Sequence, residues 1–519
     1  MKRSRVLGSI VLMLAAAWSS VWLIQRAVRS DDRSAQDGAQ LLESVMRHVR
    51  ENYVEPVDAE QMWDFAAVGL LDELGDPNSA YLTPERLERL DRSASNSYVG
   101  VGLQVDVRDG WVTVSLPRAG SPAERAGLQP GDHLVEVDGR AMRGWTVEEA
   151  RVAFSGPPGS TIALVVERGS GASARISVSL ERTAIVVRAV SRAMVLDGGV
   201  GYLAVSTFSD STEVELVRTV DSLRAAGARS IMLDLRGNPG GLLVEGVHVA
   251  DLFLSPGQRI VSTRGRVAMA NAIYTDSTPE RWPDLPVVVL VNQLTASAAE
   301  IVAGALQDND RALVLGRATY GKGSAQAIYR LVNGAGVSLT NARWVTPLGR
   351  SIEYPLADEE LLADAETSRP QFMTAMGRTI FGGGGIVPDV VAGDSVADEA
   401  EQRFVDEVGP DYAEWRRIAR SFATARVREG AVHDSLFAVP LAWRQQLYAR
   451  LDRAGVAVSV VTYREAHAVV DRIVGNEALR LAFGAAYVQR RVVRDDPVVQ
   501  RAAGVLRKAR SARAVFAAE

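Results

Sequence analysis

The spacing of apolar residues divides the chain into stretches of different predicted structure. Residues 40–90 repeat apolar side chains at helical spacing. Residues 98–181 show short alternating strands separated by glycine and proline turns, which is typical of a compact β-rich module. Between residues 200 and 320, buried strands alternate with amphipathic helices, which predicts an α/β sandwich with a mainly parallel sheet. Helical spacing returns in residues 395–494.

The N-terminus carries a basic start followed by one long apolar run, Val6 to Ile24. This arrangement is typical of an export signal, and the run is long enough for one membrane helix. Ala15 and Ala17 would suit cleavage, but the apolar run continues beyond them, so we favour an uncleaved anchor over a cleaved signal. The basic flank should stay in the cytoplasm. We therefore expect the rest of the chain in the periplasm or cell envelope, anchored to the inner membrane by residues 6–24.

Composition excludes several classes of function. A length of 519 residues suggests three or four domains, and a net charge of -5 argues against a nucleic-acid binder. The absence of cysteine excludes disulfides, thiol catalysis and cysteine-zinc sites. The five histidines are scattered without metal-ligand spacing, so we predict neither a metal site nor a cofactor. They are His48, His133, His248, His433 and His467.

The stretch 290–326 holds the strongest candidate chemistry. Small residues surround Ser297 where an apolar strand runs into a helix, and helix N-termini offer spare N–H donors to an oxyanion. Lys322 lies further on between two glycines, and it is one of only three lysines, with Lys2 and Lys508. A desolvated lysine can lose its proton, unlike arginine, and so can serve as a general base. The competing interpretation is a surface lysine placed by chance.

These residues resemble the C-terminal processing, or tail-specific, protease family. The family's nucleophile lies in a small-residue motif that ends in Glu-Ile, and Lys322 stands at the family's spacing from Ser297. The resemblance also implies that Gln326, one helical turn past the lysine, holds the amine by a hydrogen bond. It therefore implies a serine nucleophile, a lysine base and a glutamine that orients the lysine.

A glycine-rich turn at residues 237–241 follows a buried strand that ends in Asp234 and Arg236. Such a turn can offer N–H groups to an anion, but the Walker spacing and lysine of a phosphate loop are missing. The resemblance implies an oxyanion hole formed by Gly240, with Gly241 less favoured, together with the N–H of Ala298. We interpret the Asp-Arg pair as structural.

The β-rich module resembles a PDZ domain through its S-P-A-x-x-A-G-L and G-D-x-L-x-x-V-x-G patterns. PDZ domains bind C-terminal peptides as an added strand, with backbone amides taking the carboxylate. The resemblance assigns the peptide-binding amides to one loop: Val99, Gly100, Val101, Gly102 and Leu103. The competing interpretation is a PDZ fold that only packs against its neighbours.

The C-terminal part departs from compact members of the family. Residues 382–389 match the family's G-G-I-x-P-D signal, but a terminal helix similar to that of relatives begins only near Asp496. Residues 395–494 are therefore interpreted as a helical insertion. The insertion could cap the site, bind an activating partner or build a homo-oligomer, and its mixed charges do not decide between these roles.

The predicted protein is a multidomain α/β chain. Its predicted parts are an anchor or signal (1–30), N-terminal helices (39–95), a β-sandwich-like PDZ module (97–183), an α/β sandwich protease core (184–394), the insertion (395–494) and a C-terminal helix (495–519). The expected function is that of an exported serine endopeptidase that cleaves proteins near their C-termini. The PDZ domain is expected to capture the tail of the substrate. Two alternatives are a non-catalytic PDZ scaffold for exported tails and a Ser-His hydrolase using His248, although the apolar neighbours of His248 favour a core or surface role.

Overall fold

The computed structural model describes residues 36–94, 97–108, 110–118, 120–129, 131–168, 174–354, 369–393 and 395–518. The expected anchor at residues 6–24 lies outside these ranges. Within them, no helix combines the length and the apolar character needed to cross a membrane. Residue contacts divide the chain into two units, one with residues up to Leu87 plus Gln326–Thr340, and one with Glu88–Ala325 plus Asn341–Glu519.

The first unit combines helices with a short strand pairing. The expected helical segment contains α1 (residues 36–52), α2 (Ala59–Asp72) and the start of α3 (Pro84–Ala94), but also a strand, β1 (Ala80–Leu82). β1 pairs antiparallel with the first residues of β18 (Gly336–Val345). This pairing explains why residues 326–340, which the sequence analysis included in the protease core, group here with the N-terminal helices.

The β-rich module of the second unit has the elements expected of a PDZ domain. Its main sheet has the order β3-β4-β5-β7-β8, with β6 on β5, and β2 pairs with β9. The strands are β2 (Ser97–Gly100), β3 (Leu103–Arg108), β4 (Trp111–Pro117), β5 (His133–Val137), β6 (Arg140–Ala141), β7 (Thr161–Arg168), β8 (Ala174–Glu181) and β9 (Thr183–Val186). Two helices, α4 (Pro122–Arg125) and α5 (Val147–Phe154), are capped by Ser121 and Thr146 as their sequences indicate.

Residues 99–105 do not form one continuous strand. β2 ends at Gly100 and β3 begins at Leu103. Gly102 has a φ of +75°, and a Cβ there would lie 2.2 Å from the Cβ of Ser121. Only glycine fits this left-handed conformation at such close range, and the turn that it makes separates the two strands.

The protease core is built on a six-stranded sheet of order β10-β11-β12-β15-β16-β21. All its neighbouring strands are parallel except β10 and β11, so the expected mainly parallel α/β core is confirmed. Its strands are β10 (Val190–Leu196), β11 (Val200–Val205), β12 (Ser230–Asp234), β15 (Val287–Val291), β16 (Leu313–Gly316) and β21 (Val390–Val391). The central strands β12, β15 and β16 are buried along their whole length, which explains their continuous apolar runs.

Helices cover both faces of this sheet. One hydrophobic cluster joins it to α6 (Thr212–Ala225), α7 (Leu243–Asp251) and α8 (Ala298–Asp308). A second cluster joins it to the C-terminal helix α15 (Pro497–Lys508). The remaining strands are β13 (Arg259–Gly265), β14 (Ala272–Thr275), β17 (Ser324–Arg330), β19 (Gln371–Met373) and β20 (Thr379–Phe381). β13 pairs with β14 and with residues 342–345 of β18.

Residues 395–494 form helices, as their spacing predicts. The helices are α9 (Ser395–Val408), α10 (Tyr412–Arg428), α11 (Leu441–Arg453), α12 (Val460–Glu465), α13 (His467–Phe483) and α14 (Ala485–Arg494). They enclose a hydrophobic core of their own around Phe404, Trp415, Phe422 and Leu447. The segment is therefore a compact helical layer and not an extended linker.

Candidate active site

Ser297 lies at the junction where β15 passes through a short turn into α8, as its sequence predicts. It is the N-cap of α8, and its φ of +55° with ψ of -120° is unusual for a residue other than glycine. Such strained backbone persists only where neighbouring contacts hold it. The junction therefore needs an anchor close to Ser297.

Glu300 provides this anchor from the first turn of α8. One carboxylate oxygen, Oε2, accepts hydrogen bonds from the backbone N–H of Ser297 (2.7 Å) and of Lys322 (2.9 Å). The other oxygen, Oε1, accepts from the N–H of Gly321 (2.7 Å) and from the hydroxyl of Thr319. The backbone nitrogens of Ser297 and Lys322 are thus held within two hydrogen-bond lengths of each other.

The Glu300 side chain is fully buried. Burial raises the pKa of this carboxyl, while the donors from Thr319, Gly321, Ser297 and Lys322 act in the opposite direction. A buried carboxyl that meets four donors fixes two chain segments at once, because each lost hydrogen bond would leave a polar group unsatisfied. The serine and the lysine loop therefore form one rigid unit.

Lys322 lies in the loop between β16 and β17 and is partly exposed. This exposure is greater than that of the desolvated lysine which the general-base interpretation requires. The loop backbone is nevertheless fixed, because the N–H of Tyr320 donates to the carbonyl of Thr295 (2.9 Å) and the hydroxyl of Thr319 accepts from the N–H of Ile386 (2.6 Å). The loop is thereby tied both to the turn before α8 and to the glycine-rich segment at residues 382–388.

Gln326 lies on β17, a strand, and not one helical turn beyond the lysine as expected. It belongs to the first unit, where its Nε2 donates to the hydroxyl of Thr340 (3.2 Å). The chain between Lys322 and Gln326 is extended. Residues four positions apart therefore lie further from each other along the chain than they would across one turn of a helix.

Gly240 lies directly against the serine. A Cβ on Gly240 would be 2.7 Å from the Cβ of Ser297 and 2.9 Å from the backbone nitrogen of Ala298, so only glycine fits here. Its N–H, however, donates to Oδ1 of Asn238 at 2.8 Å. In this conformation a side chain of the same turn therefore takes the N–H that the resemblance assigns to the oxyanion hole.

Two other N–H groups belong to Ala298 and Gly241, the residues that directly follow Ser297 and Gly240 in the chain. Ala298 is the first residue of α8, and among the described residues neither its N–H nor that of Gly241 donates a hydrogen bond. Gly241 has a φ of +145°, and a Cβ there would lie 2.0 Å from the carbonyl oxygen of Phe208. The glycine pair is required by close packing on both of its sides.

Asn238 holds the glycine turn to the serine turn. Its side chain donates to the carbonyl of Val205 (2.9 Å), and its own carbonyl accepts from the N–H of Ala296 (2.9 Å). Asn238 is fully buried. Neither Asn238 nor Glu300 was singled out from the sequence, where both appeared only inside a motif. The signal that could have found them is a polar residue in an otherwise small or apolar stretch.

The Asp-Arg pair at the end of β12 forms an ion pair, in agreement with its structural interpretation. Two guanidinium nitrogens of Arg236 donate to Asp234 at 2.9 and 2.8 Å, and a third contacts Asp496 at 2.9 Å. Asp234 also accepts from the hydroxyl of Tyr202 (2.8 Å), and burial next to this carboxylate raises the pKa of Tyr202. The cluster connects the glycine turn to the start of α15.

The remaining candidates lie elsewhere. His248 is about half exposed on α7, with Nδ1 3.2 Å from Glu245 and 3.8 Å from Glu213. In the PDZ module, Val99 and Gly100 end β2, Val101 and Gly102 form the turn, and Leu103 begins β3. Among the described residues, no group of three or more histidine, aspartate or glutamate side chains is arranged to hold a metal ion.

Comparison with known proteins adds independent information. Residues 199–360 match the peptidase family S41, and residues 113–168 match the PDZ domain family. The chain is 34% identical to the carboxy-terminal processing protease CtpA of Bacillus subtilis, over 68% of this chain and 76% of that protein. It is 36% identical to a carboxyl-terminal-processing protease of Picosynechococcus sp., over 67% of this chain and 86% of that protein.

Among solved structures, the photosystem II D1 C-terminal processing protease matches with 29% identity and a TM-score of 0.37, over 68% of this chain and 86% of that one. The resemblance inferred from the Ser297 and Lys322 motifs is confirmed by the sequence relatives and by the two family matches. The chain belongs to peptidase family S41 and is a serine-type peptidase related to the carboxy-terminal processing proteases.

Proposed function

We propose that this peptidase uses a Ser-Lys site, with Ser297 as nucleophile and Lys322 as general base. The observation that carries the proposal is the Glu300 carboxylate, which accepts hydrogen bonds from the backbones of both residues. It holds the strained serine and the lysine loop at the N-terminus of α8. An amine close to a serine hydroxyl can take the place that histidine occupies in other serine peptidases.

In the proposed reaction, neutral Lys322 takes the hydroxyl proton of Ser297 as the oxygen attacks the scissile carbonyl. The protonated amine then gives its proton to the leaving amine, which releases the C-terminal fragment. A water molecule, deprotonated in turn by Lys322, hydrolyses the acyl-enzyme and restores Ser297. Gln326 is proposed to orient the lysine amine by a hydrogen bond, the role that the resemblance implies.

The oxyanion of the tetrahedral intermediate needs N–H donors close to Ser297. The N–H of Ala298 and that of Gly240 are the proposed pair, and the second becomes available when Asn238 releases it. The conformation described here is thus a resting form of the glycine turn. Each missing oxyanion donor typically costs on the order of 100- to 1,000-fold in rate, so this single exchange would switch the enzyme strongly.

The substrate is proposed to be a protein whose C-terminal tail is captured by the PDZ domain at residues 99–103. Capture at this loop would order the tail as an added strand. The proposed location is outside the cytoplasm, with residues 6–24 as the membrane anchor, because a basic start precedes an apolar run of membrane length. Oligomers and activating partners remain further proposals for the helical layer at residues 395–494.

The direct test compares cleavage of an unfolded protein by the full-length enzyme and its variants. Ser297→Ala and Lys322→Ala should reduce cleavage to background. The matched controls are Ser277→Ala, an exposed serine, and Lys508→Ala, an exposed lysine at the end of α15, which should cleave like the wild type. Unchanged cleavage by either active-site variant would remove the Ser-Lys assignment and leave a peptidase with another nucleophile or base.

A further inference from the structure

The six-stranded sheet has an uncovered edge at β10. Within the described part of the chain, β10 pairs only with β11, so its outer backbone groups have no strand partner. Proteins usually protect such an edge with charges, proline or a bulge. β10 has a register irregularity near Ser191, but residues 193–196 are regular and carry no charge. This part of the edge is open to another strand.

A groove runs between this edge and the helices α14 and α15. It encloses about 880 Å³ and is bordered on one side by residues 193–197. Met194, Leu196 and Tyr487 give it apolar contact surface, and Leu436 adds a side chain that is 65% exposed. An extended peptide along β10 would therefore find apolar side chains beside the strand edge, as in other strand-addition sites.

The opposite wall is strongly basic. Arg490, Arg491, Arg494 and Arg507 line it, against one lining carboxylate, Asp197. Arg491 and Arg494 are already paired with Asp495. Arg490 and Arg507, both exposed, form no ion pair with any residue that the structure describes. Arg490 lies over the ring of Tyr487, and Arg507 has only a long contact, 3.5 Å, with Gln500.

From these observations we propose that the β10 groove binds an extended acidic segment of a partner protein by strand addition. The strand edge supplies backbone hydrogen bonds, the apolar side chains select every second residue, and Arg490 and Arg507 pair with carboxylates on the segment. Two exposed guanidinium groups beside an open strand edge select for negative charge and for extended backbone at the same time. Neither Ser297 nor Lys322 lines the groove. The proposal therefore does not depend on the Ser-Lys assignment.

The test uses a fluorescent peptide of alternating valine and glutamate, acetylated and amidated so that it has no free C-terminus for a PDZ domain. Binding is measured to full-length Ser297→Ala protein in mild detergent, together with the Arg490→Glu/Arg507→Glu and Arg501→Glu/Lys508→Glu double variants. The second double variant makes the same change in charge outside the groove. Both of its residues lie on α15, the helix that also carries Arg507. A valine-lysine peptide of equal length controls for the charge of the ligand.

The expected result is at least about tenfold weaker binding by the Arg490/Arg507 variant, unchanged binding by the Arg501/Lys508 variant, and little binding of the valine-lysine peptide. Hydrogen exchange should also show added protection of residues 192–196 in the complex, because their outer N–H groups gain partners. The proposal is overturned if the acidic peptide does not bind, if both double variants bind equally well, or if exchange in residues 192–196 is unchanged. Melting curves of both variants verify that they are folded.

Discussion

At the scale of single residues, the site depends on one buried carboxylate. Ser297 has strained backbone, and the strain is held by a hydrogen bond to Glu300, which also binds the loop that carries Lys322. Neither bond could be inferred from the sequence, because Glu300 lies 22 positions from Lys322 and only the fold brings them together. The serine and the lysine themselves could be proposed, since small residues, a helix start and a rare lysine are local signals.

Glu300→Gln tests this positioning role. Glutamine has one acceptor oxygen in place of two, so one pair of donors would face an amide N–H₂ group. We expect kcat to fall roughly 10- to 100-fold, since small displacements of reacting groups have effects of this size, with little change in KM. The control Glu245→Gln alters a buried glutamate of the neighbouring helix α7 and should retain activity. An unchanged kcat for Glu300→Gln in a folded protein would refute the positioning role.

A second residue-scale prediction concerns pH and stability. Burial raises the pKa of Asp276 to about 6, and Asp251 and Glu280 add to the effect. Because the folded state favours the protonated form, Asp276 should cost stability as pH rises from about 4 through 6. Asp276→Asn should therefore raise the free energy of unfolding by about 1–3 kcal/mol at pH 8 and by roughly a third of that at pH 4.5.

Thermal melting at the two pH values checks this prediction. The exposed Asp210 provides the control, since Asp210→Asn should shift the melting temperature little at either pH. Equal stabilisation by Asp276→Asn at pH 4.5 and pH 8 would contradict the proposed protonation.

At the scale of elements, Asp496 joins the C-terminal helix to the core in two ways. One oxygen caps α15 by accepting from the N–H groups of Val498 and Val499, and the other pairs with Arg236. Asparagine also caps helices well but carries no charge. The two substitutions Asp496→Asn and Asp496→Ala can therefore separate the cap from the ion pair.

We expect Asp496→Ala to lower the stability by about 1–2 kcal/mol, the usual cost of losing a cap. Asp496→Asn should cost less than about 1 kcal/mol, because Arg236 keeps its two bonds to Asp234. Urea unfolding followed by circular dichroism measures both values. A loss for Asp496→Asn as large as that for Asp496→Ala would show that the ion pair, and not the cap, is the main contribution.

Element types were predictable where the apolar pattern was long and regular. The buried strands β12 and β15, the helix α6 and the helical layer at residues 395–494 all follow their periodicity. The pattern failed where a distant contact decides the local structure. β1 forms because β18 pairs with it, and the PDZ strand breaks at Gly102 because Ser121 approaches it closely.

At the scale of the whole molecule, the proposed function requires the PDZ module to recognise substrate tails. Gly102→Ala should distort the peptide-binding turn, because a Cβ there would overlap Ser121. We expect the KM for a protein with a free apolar C-terminus to rise several-fold, while cleavage of a short peptide without a tail is unchanged.

Gly110→Ala is the matched control for this prediction. Gly110 has nearly the same φ, +76°, but open space around it, so the substitution carries the backbone strain without the overlap. Steady-state kinetics on both substrates measure the effect. If the two alanine variants have the same KM for the tailed protein, the turn at residues 99–103 does not capture the tail.

The most direct test of the Ser-Lys assignment is covalent labelling with a fluorophosphonate, followed by peptide mass spectrometry, which identifies the activated serine without any substrate. In the wild type and in Lys508→Ala, the label should be found on Ser297. In Lys322→Ala, labelling should fall to background while the melting temperature stays close to that of the wild type. Labelling of a different serine, or undiminished labelling of Ser297 without Lys322, would contradict the proposed role of the lysine.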